Sequence, residues 1–159
     1  MKINTFWIAS VVLGLLSSCS NNSSSGPTAS TTDASTSAAS TSANYDSVRG
    51  SGKFKHIDLQ PTPQPTLVAA GKSVYELKCS ACHKLTGEKL VGPGWLGVTN
   101  RHTPEWIMNF ATNTDEMIDK DPKAQAMLQV CMVRMPNQHL SDDDARNILE
   151  FMRNNDKDK

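Results

Sequence analysis

Apolar positions along the chain fall into three regimes. From Phe6 to Leu16 eleven residues are almost continuously apolar. From Ser20 to Thr66 apolar residues are sparse and follow no period. From Leu67 to Met152 they return at helical spacing. Thr103-Pro104-Glu105 supplies an N-cap, a first-turn proline and an acid near the positive end of a helix, and Trp106, Ile107 and Phe110 then share one face. Asp121-Pro122 opens a second helix in the same way, with Ala124, Met127 and Leu128 on its face. Ser141-Asp142-Asp143-Asp144 reads as a capping box with Asp in place of Glu, ahead of a face of Ala145, Ile148, Leu149, Phe151 and Met152. No stretch alternates convincingly as a strand would, so the expected class is all-α.

The apolar run near the start is too short to span a bilayer and follows the positive Lys2, which is the form of an export signal. It ends in Leu16-Ser17-Ser18-Cys19, which resembles the lipobox of bacterial lipoproteins. The resemblance implies cleavage after residue 18 and lipidation of Cys19 as the first mature residue. Several acyl chains anchor a protein stably where one is marginal. Residues 19–66 then read as a disordered tether: Ser20 to Ser42 holds nine Ser and five Thr in twenty-three residues, and Pro61, Pro63 and Pro65 alternate near its end. Tyr45 and His56 fall within it and read as solvated. The folded domain is expected over 67–153, with a charged tail over 154–159.

Composition narrows the partners. With 16 Lys plus Arg against 16 Asp plus Glu, the chain has no basic surplus to attract nucleic acid. A core of roughly 90 residues is thin, and a buried cofactor would reinforce it.

The cysteines point to that cofactor. Cys79-Ser80-Ala81-Cys82-His83 has the CxxCH spacing of c-type haem attachment. Two thiols three positions apart can bond the two vinyl groups of one haem, and the next residue brings its imidazole to the iron. A CxxC pair also serves thiol redox chemistry or half a zinc site. The first wants a βαβ context, which is not visible. The second wants another ligand pair, and only Cys131, His102 and His139 remain, without matched spacing. Cys131 reads as a small buried apolar side chain, with pairing between two molecules or weak competition as an iron ligand as the alternatives.

The surroundings resemble a class I, monohaem cytochrome c domain over most of 67–152. Gly71-x3-Tyr75-x3-Cys79 matches that family's first helix, and Val91-Gly92-Pro93 its Gly-Pro after the haem motif. The resemblance implies one covalent haem c, held through Cys79 and Cys82, with His83 as an iron ligand. It implies that Pro93 accepts the Nδ1 proton of His83, and that Phe151 or Met152 of the last helix packs near Gly71. Trp95 and Leu96 fill the core or line the haem edge. Met135-Pro136, in an irregular segment before the last helix, matches the family's distal ligand, so the metal set is His83 and Met135. Met132, His102, His139 or a vacant position are the alternatives.

These features together describe an exported monohaem electron carrier, anchored to a bacterial membrane through Cys19, with its haem domain in the periplasm or on the outer face of the cytoplasmic membrane. A weakly donating thioether raises the potential, and a saturated iron favours electron transfer over catalysis, so no catalytic residue is assigned. The expected partners are redox proteins in or near the membrane, such as a quinol-oxidising complex and a terminal oxidase or periplasmic reductase, and the chain is expected to be a monomer. Arg101, Lys84, Lys89 and Lys123 are candidates to ring the exposed haem edge. A sensor or enzyme with an open sixth site, and a fixed subunit of a respiratory complex, are the rival readings.

Overall fold

A computed structural model describes residues 45–157. Cys19, the signal segment and the first part of the expected tether lie outside the described residues. The described chain forms six helices: α1 Pro65–Lys78, α2 Val98–Arg101, α3 Pro104–Thr112, α4 Thr114–Lys120, α5 Pro122–Cys131 and α6 Asp142–Asp156. Among the described residues the only β pairing is one isolated bridge between His83 and Lys89. The all-α expectation therefore holds.

The caps work as their sequences require. The Thr103 hydroxyl accepts the Trp106 N–H at 3.2 Å. Asp121 accepts the Ala124 N–H at 2.8 Å. Ser141 and Asp144 form a reciprocal capping box. Each replaces a hydrogen bond that the first helical turn cannot make internally. Pro occupies the first turn of α1, α3 and α5, where its missing N–H costs nothing.

Helix α1 packs across α6 at Gly71. A side chain there would overlap the Asn147 carbonyl and reach 2.8 Å from Cβ of Phe151, so only glycine permits this approach. Tyr75 continues the contact, its ring centroid 5.4 Å from that of Phe151 and 5.0 Å from that of Trp95. Trp106, Ile107, Met108, Met117, Ile148, Leu149 and Met152 complete the buried core.

Two boundaries differ from the sequence expectation. Residues 45–64, expected within the disordered tether, form an ordered strap laid across α3, α4 and α6. Its few apolar side chains, Phe54, Ile57 and Leu59, rest on the core. Its backbone is received by side chains of the helices: Phe54 N–H by Asn109 Oδ1 at 3.0 Å, Ile57 N–H by Glu105 at 3.1 Å and Gln64 N–H by Glu150 at 3.2 Å. Arg153 donates to the Gln60 carbonyl at 2.7 Å and also pairs with the fully buried Glu150 at 2.9 Å. These bonds satisfy strap amides that a sheet or helix would otherwise satisfy. At the other end, the expected tail from residue 154 begins inside α6. Asp156 is buried and accepts the Gly97 N–H at 2.7 Å and the Thr99 N–H at 2.9 Å, so the helix ends by holding the start of α2.

Candidate functional site

The CxxCH segment is the turn that ends α1. Cys79 caps the helix, and its carbonyl accepts the N–H of Cys82 at 3.0 Å and of His83 at 2.9 Å. The Tyr75 hydroxyl donates to the His83 carbonyl at 2.7 Å, fixing the turn to the helix before it. The chain then loops back on itself. The Cys82 carbonyl receives the N–H groups of Val91 at 3.2 Å and Gly92 at 2.9 Å. That closure carries Gly92-Pro93 beneath the imidazole.

His83 is buried, and its Nδ1 stands 2.9 Å from the Pro93 carbonyl oxygen. A carbonyl can only accept, so Nδ1 carries the proton and Nε2 is left with a free lone pair. Burial holds the His83 pKa below its usual value, which keeps the ring neutral and fit to bind a metal. Trp95 stands against it with centroids 5.5 Å apart.

His83 belongs to the wall of a large cavity. It measures about 580 Å³, within the range of cofactor pockets, and a neighbouring lobe of about 110 Å³ shares several of its lining residues. Cys79, His83, Pro93, Trp95, Leu96 and Met135 line the larger space, and Cys82 and Met135 line the smaller. The structure thus brings Cys79, Cys82, His83, Pro93 and Met135 together around these two adjoining spaces. The walls are mainly apolar, with Ile107, Phe110, Met127, Leu140 and Met152 among them. A mainly apolar cavity beside two cysteines, with a histidine and a methionine in its lining, suits a flat apolar metal macrocycle bonded through the thiols.

The alternatives fare less well. Met132 is 84% exposed and forms the left-handed end of α5, and His139 is exposed, so neither lines the cavity. His102 does line it, on the wall formed with Trp106. Burial, with Lys123 and Arg101 nearby, lowers the His102 pKa to about 4. The thiol redox reading is disfavoured because burial pushes the Cys79 thiol up to about 11, whereas a reactive redox thiol is held low. Among the described residues no three His, Cys, Asp or Glu side chains converge as a zinc site would need.

Met135 sits in the irregular link between α5 and α6. Arg134 beside it bonds Asp119 at 2.8 Å, and Lys78 reaches from α1 to the Gln138 carbonyl at 3.1 Å. Those two ties hold the link against the cavity. Cys131 is half-buried and lines both lobes. Of the candidate rim cations, Lys89, Arg101 and Lys123 line the larger space, while Lys84 pairs with Glu88 at 2.8 Å. Sequence reasoning missed two groups near the site. Asp121 serves as a helix cap and also accepts the Trp106 indole N–H at 3.0 Å, and Tyr45 bonds the same oxygen at 2.7 Å. A lone tyrosine in a polar stretch was the one available signal.

Comparison with known proteins agrees with this geometry. The family model described as cytochrome c matches residues 68–156. A cytochrome c from Rhodothermus marinus is 31% identical, with a TM-score of 0.65, over 68% of this chain and 92% of that one. An engineered form of the Rhodothermus marinus protein matches at 31% identity and a TM-score of 0.64, over 67% of this chain and 92% of that one. The same engineered protein bound to a carbene intermediate matches with a TM-score of 0.61, again at 31% identity over 67% and 92%. No match is found among curated proteins.

Proposed function

Because this chain belongs to the cytochrome c family and is a carrier of electrons on covalent haem c, we propose that it shuttles single electrons between redox proteins at a bacterial membrane. We propose that Cys79 and Cys82 would be the attachment points for haem c, and that His83 and Met135 would hold its iron. The observation that carries this assignment is a pair of adjoining spaces that both have His83, Pro93 and Met135 in their linings, with Cys79 on the larger and Cys82 on the smaller. When bound, haem c supplies a one-electron iron couple whose potential the axial ligands tune.

The chain's own residues do the rest. The Pro93 carbonyl holds the proton on Nδ1, which fixes the ring tautomer and raises the basicity of Nε2. Met135 is a soft, weak donor, which favours the reduced iron. The apolar walls exclude water and lower the cost of the less charged state. An iron that both His83 and Met135 would hold favours electron transfer over catalysis, so no catalytic residue is proposed.

The rim suggests how a partner docks. Lys89 reaches the Val130 carbonyl at 3.1 Å and so brings the loop after His83 against the end of α5. Leu90, Val91, Val130, Met132 and Val133 are exposed around that junction. The neighbouring cations are engaged within the chain, Lys84 with Glu88 and Arg134 with Asp115 and Asp119. A partner with an apolar face fits this edge better than a strongly charged one. The membrane anchor through Cys19, the export of the domain to the periplasm or outer membrane face, and a monomeric state belong to the same proposal. The lipobox-like Leu16-Ser17-Ser18-Cys19 supports the first two.

The test is the ferric absorption spectrum of the full chain matured with haem. The weak far-red sulfur-to-iron charge-transfer band is expected in the wild type and absent from Met135→Ala. A wild type that is high-spin and binds added ligands readily would remove Met135 as the resting ligand and bring the sensor or enzyme reading forward.

A further inference from the structure

Three rings stack along one wall of the haem cavity. The His102 and Trp106 centroids are 3.9 Å apart with planes 14° from parallel, and those of Trp106 and Phe110 are 5.1 Å apart at 11°. All three residues line the cavity. Stacking fixes the rings face to face but leaves them free to slide, so something must pin them in the plane.

The middle ring is pinned. Trp106 Nε1 donates to Asp121 Oδ2 at 3.0 Å. Asp121 is fully buried, and its Oδ1 is committed to the Ala124 N–H at 2.8 Å. A buried carboxylate is costly unless its oxygens find donors. The second side-chain donor to Oδ2 is the Tyr45 hydroxyl at 2.7 Å. Burial and the adjacent Asp121 push the Tyr45 pKa well up, so the hydroxyl keeps its proton and donates. Tyr45 stands at the beginning of the strap, outside the 68–156 segment that defines the family.

We propose that Tyr45 is a positioning residue of the haem site, acting through Asp121 to hold Trp106 in the His102–Trp106–Phe110 wall. This rests on the haem reading above. Removing the hydroxyl leaves Asp121 Oδ2 with Trp106 as its one side-chain donor. A buried acceptor that loses a partner carries a real penalty and relaxes toward water or another donor. Trp106 follows the carboxylate, and the packing and polarity against the cofactor change with it. Burial and nearby hydrogen bonding are among the protein's means of setting a haem potential.

The experiment measures the midpoint potential and the near-ultraviolet circular dichroism of full-length holoprotein in four forms. Tyr45→Phe deletes the hydroxyl alone. Ser51→Ala removes a different strap contact, the Ser51 hydroxyl to Glu116 at 2.6 Å, which leads to α4 and not to Asp121. Asp121→Asn approaches the same contact from the helix side and keeps a competent N-cap. The proposal expects Tyr45→Phe and Asp121→Asn to shift the potential and the tryptophan bands, and Ser51→Ala to leave both at the wild-type values. A potential unmoved in Tyr45→Phe, or moved equally by Ser51→Ala, overturns it, since a strap that merely adds stability would give one of those results. Should Tyr45→Phe fail to fold, an unmoved potential in Asp121→Asn overturns it as well. A wild type without covalent haem would instead sink the haem reading, and this proposal with it.

Discussion

Gly92 lies flat against the His83 ring: a side chain there would stand 2.8 Å from Nδ1 and overlap Cε1. The contact is with the ring itself, whose Nδ1 is tied to the Pro93 carbonyl at 2.9 Å and whose neighbouring ring is Trp95.

With His83 holding iron as proposed, Gly92→Ala is therefore expected to tilt the ring and weaken its bond to the metal. Overpacking of this kind costs about 1–3 kcal/mol. Ferric spectra should show a rise in high-spin haem at neutral pH while the covalent attachment through the thiols persists. An unchanged low-spin spectrum would show that the loop gives way instead of the ring.

At Gly71 the obstacle is backbone, the Asn147 carbonyl of α6. Gly71→Ala should separate α1 from α6 and lower the melting temperature by roughly 5–20 °C, taking about 1–3 kcal/mol over a domain of this size. Calorimetry on the holoprotein reads this directly. A loss of less than a degree would mean the two helices slide apart freely.

His102 gives the fold a dependence on acid. Burial first, then Lys123 and Arg101, lowers its pKa to about 4 from an ordinary value near 6.5. The folded state keeps the ring neutral while the unfolded chain takes up a proton. Stability is complete above pH 6.5, falls as the pH drops toward 4, and stops falling from this cause below that. His102→Phe, which keeps a ring on Trp106, should flatten the slope in denaturant titrations across that window.

The strap has its own acid sensitivity. Lys120, then Ser51 and Asn113, hold the Glu116 pKa down to about 2. Its contribution is present above the ordinary carboxylate value of 4.5 and is lost as the pH falls through about 2. Ser51→Ala should move the Glu116 titration upward, as followed by carboxyl resonances. No movement would mean that Ser51 and Glu116 do not meet in solution.

Electron transfer to a partner should respond weakly to salt. The chain carries equal numbers of basic and acidic residues, and the exposed edge is apolar. Stopped-flow rates are expected to stay within about tenfold between low and high ionic strength, where strongly steered pairs change by up to about a thousandfold. A steep decline would place a charged docking patch at the rim.

Local chemistry explains what could be read in advance. The openings of α3, α5 and α6 were legible because Thr103-Pro104, Asp121-Pro122 and Ser141 to Asp144 act within one turn. The close approach of α1 and α6 was legible in Gly71 and Phe151. Cys79, Cys82 and His83 were readable as a group because the CxxCH spacing acts within one turn, and the bond from His83 Nδ1 to the Pro93 carbonyl followed from the family resemblance of Val91-Gly92-Pro93. The short helices α2 and α4 escaped notice: four and seven residues give no period, and neither has a side-chain cap. The strap escaped for a different reason. Its amides are met by Asn109, Glu105 and Glu150, which stand far along the chain, so the ordering force is absent from the segment itself. Proline and serine then give it the composition of a linker.

The docked strap also takes up slack. A leash reckoned from Ser20 to Thr66 has 47 residues, and the 22 from Tyr45 onward are laid against the domain. At about 3.4 Å of chain per residue, the greatest reach falls from roughly 160 Å for 47 residues to roughly 85 Å for 25. Under the anchor proposed at Cys19, that shorter line restricts the domain to partners seated close to its own point of attachment.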